Sequence, residues 1–243
     1  MYHNTSNPIL SSKNFTGAVA EGTATLGGTI NRCLILLALV FVSAAFSWIN
    51  PGDSGPAIGG KLALFTILGF VTCIVTCVKK EWAGVTAPIY AIFEGLVLGL
   101  LSRLFETGYP GIVFQAILLT FGVAFGMLLV YKTGLIKVTD RFRMIVSCAL
   151  FGLVAMYVAS WIISLFGVSM PVFHSSGAFG MGLSVFVVIL ASLLLLSDLD
   201  FIVQISNRGL PVYMSWFAAF GLMVTLIWLY VEVIRLLARI RDR

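Results

Sequence analysis

The sequence has little charge. Only 10% of its 243 residues are Asp, Glu, Lys or Arg, against roughly 25% in soluble domains. It is also poor in the residues that build catalytic and metal sites, with two histidines and four cysteines. No HExxH, GxSxG or P-loop pattern occurs, and no Cys/His spacing suits a metal ion. These absences argue against an enzyme and against a resident cofactor. Cys33, Cys73, Cys77 and Cys148 all lie in apolar runs. Cys73 and Cys77 share a helix face, but no histidine or second cysteine pair accompanies them. They read as small buried apolar residues. The net charge of +5 comes from basic residues in short loops and at the C-terminus. Such placement signals membrane topology rather than a nucleic-acid surface. No cleavable signal peptide is expected, because the first 30 residues are polar and the first apolar run follows Arg32.

What fills the chain is apolar. Hydrophobic residues make up 60%, and the mean hydropathy is +1.06. A soluble chain of this length could not hide so much apolar surface. A helix needs about 20 mostly apolar residues to cross a bilayer. Runs of that size are expected at Thr29–Ile49, Ile58–Val78, Gly84–Phe105, Gly111–Tyr131, Met144–Phe166, Gly177–Phe201 and Val212–Leu237. They are too long for barrel strands and do not alternate. Open sheets cannot cross lipid. The expected fold is therefore all-α: a polytopic bundle of about seven transmembrane helices. Residues 1–28 read as a polar, partly disordered N-terminal segment, 29–237 as the transmembrane domain and 238–243 as a basic tail.

Basic residues set the orientation. With the N-terminus in the cytoplasm, nine basic residues fall inside (Lys13, Arg32, Lys79, Lys80, Lys132, Lys137, Arg141, Arg143, Arg208) and two outside (Lys61, Arg103). This bias favours N-terminus inside. Seven full crossings would put Arg235, Arg239, Arg241 and Arg243 outside. Either the tail is an exception or one late segment is re-entrant; seven crossings is the expectation taken here.

Few charges lie within the runs, and an acid there costs a few kcal/mol or more. Such acids usually face the bundle interior or a watery path. Glu94 follows Trp82 by twelve residues, about 18 Å of helix, which places it near mid-membrane. It reads either as a titrating group or as a neutral acid bonded to a neighbouring helix. Asp198 and Asp200 end the run "LLLLSDLDFI". About 200° separates them around a helix, so they cannot share one site unless the helix unwinds. Asp198 reads as the functional member, and Asp200 equally well as a solvated interfacial acid. Glu232 and Arg235 are three apart and read as an ion pair on one face. His174 reads as a solvated loop residue. "GAFGMG" (Gly177–Gly182) opens a span and follows no strand, so it reads as helix-packing glycine.

The segments "FGMLLVYKTGLIKVTDRF", "LLLLSDLDFI" and "WFAAFGLMVTLIWLYVEVIRLLARIR", with "YAIFEGLVLGLLS" earlier, resemble the Bax inhibitor-1/YccA-like family of bacterial membrane proteins. The resemblance covers nearly the whole chain. It implies a seven-helix fold with a central last helix, in a bacterial inner membrane. It also implies a pH-sensitive calcium leak, gated by an aspartate on the sixth helix paired with one on the seventh, opening on deprotonation. Calcium would be passing cargo and protons the signal. For other bacterial members it implies partnership with a membrane protease. The sixth-helix aspartate corresponds to Asp198 or Asp200. Anchoring on Arg235, the seventh-helix aspartate falls on Thr225, which cannot titrate. Glu232 lies about 10 Å further along that helix. Glu94 is then the candidate for the missing acid.

Overall fold

The computed structural model describes residues 22–50, 56–165 and 178–242. Seven long helices account for nearly all of them. They are α1 (Leu26–Ile49), α2 (Pro56–Val78), α3 (Ala83–Gly108), α4 (Ile112–Thr133), α5 (Asp140–Leu165), α6 (Ala178–Asn207) and α7 (Val212–Arg241). A single 3-10 turn, Lys80–Trp82, joins α2 to α3. All seven helices are long and apolar enough to cross a membrane. The all-α, seven-span expectation holds. His174 and most of the polar N-terminal segment lie outside the described residues.

Local chemistry sets the helix ends. Thr25 caps α1 by accepting the Gly28 N–H at 3.1 Å. Glu106 caps α4 from the preceding helix, accepting the N–H groups of Gly111 at 2.6 Å and Val113 at 3.1 Å. A carboxylate there also complements the positive end of the helix dipole. Gly134 ends α4 at φ +67°, a left-handed geometry open to glycine.

Successive helices alternate in direction, which defines two faces of the bundle. The near face holds the start of α1 and the turns 79–82, 134–139 and 208–211. Residues 22–24 are pinned there: the Ala24 N–H donates to the Leu210 carbonyl at 2.6 Å, and the Val212 N–H to that of Gly22 at 2.9 Å. Cation–aromatic pairs also mark the near face, with Arg32 over Trp216, Lys79 over Trp82 and Lys80 over Phe217. The far face holds the turn 109–111 and the end of α7.

The structure extends two elements past the apolar runs. The sixth helix was expected to end at Phe201 but continues to Asn207, so Asp198 and Asp200 lie inside a continuous helix. The seventh was expected to end at Leu237, followed by a separate tail. It runs to Arg241 instead. Its arginines are held by neighbouring helices. Arg239 donates to the Gly180 carbonyl and the Ser184 hydroxyl, both at 2.5 Å. Arg241 donates to the Pro110 carbonyl at 2.7 Å and to Gln115 at 3.0 Å. Tyr109 donates its hydroxyl to Asp242, and that carboxylate holds the phenol above its ordinary pKa. The end of α7 lies on the face opposite Ala24.

Helix α7 is the axis of the bundle and packs against α1, α3, α4 and α6. Its core residues Ala219, Met223, Leu229 and Ile234 are almost fully buried. Helix α2 packs chiefly on α3, and α5 on α6. The tightest crossing is α1 on α3, where Ser43 and Ser47 face Gly95 and Gly99. The Ser47 hydroxyl donates across it to the Leu96 carbonyl at 2.9 Å. Small residues permit such approach between membrane helices.

Candidate functional site

Helices α6 and α7 form an antiparallel hairpin about the turn at 208–211. Residues equidistant from that turn lie at equal depth. Asp198 lies nine residues before the end of α6 and Thr225 thirteen after the start of α7, so the two differ in depth by about one helical turn. Asp198 stands about 14 Å of helix from the turn and Thr225 about 20 Å, both inside the apolar spans. The Thr225 hydroxyl faces the Asp198 carboxyl within hydrogen-bonding reach. It also contacts the Gly221 carbonyl at 3.2 Å as donor. The position that the resemblance assigns to the seventh-helix acid is thus near Asp198, and threonine occupies it.

Asp198 is under-satisfied. Its Oδ2 is fully buried and has no hydrogen-bond partner among the described residues. A buried carboxylate oxygen without a partner is costly, by several kcal/mol in an apolar setting. Ser215 Oγ is the other such atom. Sequence reasoning missed Ser215, since a serine in an α7 that also carries Trp216 and Tyr213 gives no distinguishing signal.

Asp200 has a different fate. It forms an ion pair with Arg143 in the first turn of α5. It also accepts from the Tyr131 hydroxyl of α4 at 3.2 Å and from Gln204 Nε2 at 2.8 Å. One carboxylate thereby ties α4, α5 and α6 together near the near face. The continuous helix sends it away from Asp198, as the 200° separation requires. The solvated reading of Asp200 gives way to a paired one, with its side chain only 16% exposed. Sequence reasoning missed Tyr131 and Gln204 and took Arg143 only as a topology charge. The i, i+4 spacing of Asp200 and Gln204 was the available signal.

Glu94 is at a separate place. Its Oε2 lies against Gly69 of α2, where a Cβ would stand 3.4 Å away. Cys73 and Tyr90 share its electrostatic surroundings. Helices α3 and α6 share no packed interface, because α7 stands between them. Glu94 is therefore not placed to supply the missing partner of Asp198. We expect no coupling between the two. Infrared difference spectra should show the Glu94 carboxyl band unmoved in Asp198→Asn protein, and a displaced band would contradict this separation.

Glu232 is almost fully buried and pairs with Arg235 at 3.0 Å on its own helix. This pair lies in the far half of α7, two turns beyond Thr225. Among described residues no three His, Cys, Asp or Glu side chains are placed to hold a metal ion.

The fold and site define a class: a seven-helix membrane protein built round its last helix, with an under-satisfied aspartate deep in its sixth. The profile of the Bax inhibitor 1 like family matches residues 7–242, nearly the whole chain. The chain belongs to that family. No curated protein and no solved structure gave a match.

Proposed function

We propose that this protein is a proton-gated cation leak, with calcium as its cargo and Asp198 as its gate. The carrying observation is the buried, unpartnered Asp198 Oδ2 near Thr225. In its neutral form Asp198 donates to the Thr225 oxygen, while Thr225 keeps its own proton on the Gly221 carbonyl. That arrangement satisfies both groups and holds α6 against α7. In its charged form Asp198 can only accept. Thr225 must then give up the Gly221 carbonyl, and the remaining carboxylate valence calls for water or a cation. The hairpin loosens on deprotonation and the leak rises with pH. The Asp200–Arg143 pair keeps the near ends of α4, α5 and α6 fixed while this happens.

In this reading the near face is cytoplasmic and the membrane a bacterial inner membrane. The basic and aromatic residues clustered there support it. No cofactor and no enzymatic step are involved. The alternative is a non-conducting regulatory protein that binds another membrane protein, such as a membrane protease. The threonine at 225 favours it, because the second titrating acid is missing.

Calcium flux into dye-loaded proteoliposomes decides between them. We expect native flux to rise between about pH 6 and pH 8, and Asp198→Asn flux to be flat across that range. Folded native protein that passes no calcium above empty liposomes would leave the regulatory reading.

A further inference from the structure

A second feature lies in the far half of the bundle, away from Asp198. Helices α1, α3, α4 and α7 enclose a crevice of about 290 Å³. Its walls are almost wholly apolar, with Leu37, Val40, Leu98, Ile117 and Ile227 prominent. The hydroxyls in the wall are already satisfied. Ser102 and Tyr230 bond each other at 2.7 Å, and Thr120 donates to the Ala116 carbonyl at 2.7 Å. An enclosed water needs two to four polar partners. These groups have little left to offer it, so hydrocarbon suits the space better.

The crevice opens sideways rather than toward either face. Helices α1 and α4 share no packed interface. They meet where Phe41 stacks on Phe121, ring centroids 6.1 Å apart. Both rings are about half exposed, on a surface that lies within the bilayer. Lining residues run along α1 from Leu37 to Trp48, about 16 Å of helix. The space is thus long and thin.

Its far end carries a positive charge. Arg103, next to the lining residue Ser102, donates to the carbonyl of Trp48 at 2.7 Å. Among described residues Arg103 makes no ion pair. The nearby acid in sequence, Glu106, is committed to the N–H groups that open α4. A guanidinium in this position suits a phosphate.

We propose that this crevice binds one acyl chain of a phospholipid from the far-face leaflet, with Arg103 holding its phosphate. The Phe41–Phe121 pair is the lateral entry. A bound chain would fill the space between α1 and α4 that no side chain fills, and so brace α7 from the side opposite α6. This site is independent of Asp198 and of any conduction.

The test uses full-length protein reconstituted in vesicles of equal parts phosphatidylglycerol and phosphatidylcholine. It is then extracted in mild detergent and weighed intact by native mass spectrometry. We expect native protein to retain a single phospholipid, enriched in phosphatidylglycerol. Ala44→Phe, which fills the crevice, should lower the retained fraction at least tenfold, with helicity and melting unchanged. Ile117→Trp fills it from α4 and serves if Ala44→Phe does not fold. Arg103→Gln should abolish the preference for phosphatidylglycerol. Native protein without lipid, equal retention in native and filled variants, or a retained mass matching a free fatty acid would each overturn the proposal. Retention with unaltered headgroup preference in Arg103→Gln would overturn the role of Arg103.

Discussion

Gly95→Leu protein is expected not to reach the membrane in folded form. A Cβ at Gly95 would collide with the Ser43 hydroxyl and with the Val40 carbonyl and Cα of α1. The Val40 atoms are helix backbone and cannot rotate aside. The Ser43 hydroxyl is held by the Leu39 carbonyl at 2.7 Å. Relief would require α1 and α3 to separate along their whole crossing, with loss of the Ser47 bond to Leu96. Overpacking alone typically costs about 1–3 kcal/mol per site, and a leucine against backbone lies above that range. Even Gly95→Ala should lower the unfolding midpoint in detergent clearly. Gly122→Ala is the control, because a Cβ there meets nothing within 4 Å. A helical Gly→Ala change otherwise gains about 1 kcal/mol. Gly122→Ala should therefore be neutral or stabilising. Equal behaviour of the two alanine variants in a thermal or denaturant series would show that the α1–α3 contact is looser than described.

That contrast marks how far the sequence could be read. The spans themselves were legible, because a membrane helix must be long and apolar and little else in this chain is. Their rotation was not. These helices are apolar on nearly every face, so periodicity does not tell which side of α3 meets α1 and which meets α2. Gly95 and Gly122 look alike in sequence, yet one is a contact and the other faces outward. Glu94 shows the same limit. Its depth followed from counting residues, but its direction, toward Gly69 and away from α6, did not. The end of α7 ran past its apolar run because Arg239 and Arg241 find partners on neighbouring helices, and that of α6 continues where Gln204 bonds Asp200 one turn back, neither of which composition can foresee. Asp200 stayed open between a functional and a solvated acid because its partner Arg143 is 57 residues away in the chain. Thr225 was the exception, since the register of the resemblance drew attention to a residue whose hydroxyl does lie near the Asp198 carboxyl.

On the function proposed above, Thr225→Asp should change the shape of the flux–pH curve. It sets a second carboxyl within reach of Asp198. Two charged carboxylates about 4 Å apart repel by about 4 kcal/mol at an effective dielectric of 20. One pK unit corresponds to about 1.4 kcal/mol, so the two would titrate as a coupled pair and not independently. With one proton between them, the pair bridges α6 and α7 by a charge-assisted bond stronger than any available to threonine. With none, repulsion drives the helices apart. The variant should therefore show a lower leak in the singly protonated state and a higher one when both acids are charged. Its flux–pH curve should be resolved into two steps where the native curve has one. Asp198→Asn combined with Thr225→Asp returns a single acid to the site and should restore a one-step curve. Calcium flux in proteoliposomes, recorded for the four combinations at each pH, measures this directly. A Thr225→Asp curve of native shape would mean that position 225 does not act on Asp198, and the gate would have to be sought elsewhere on α6.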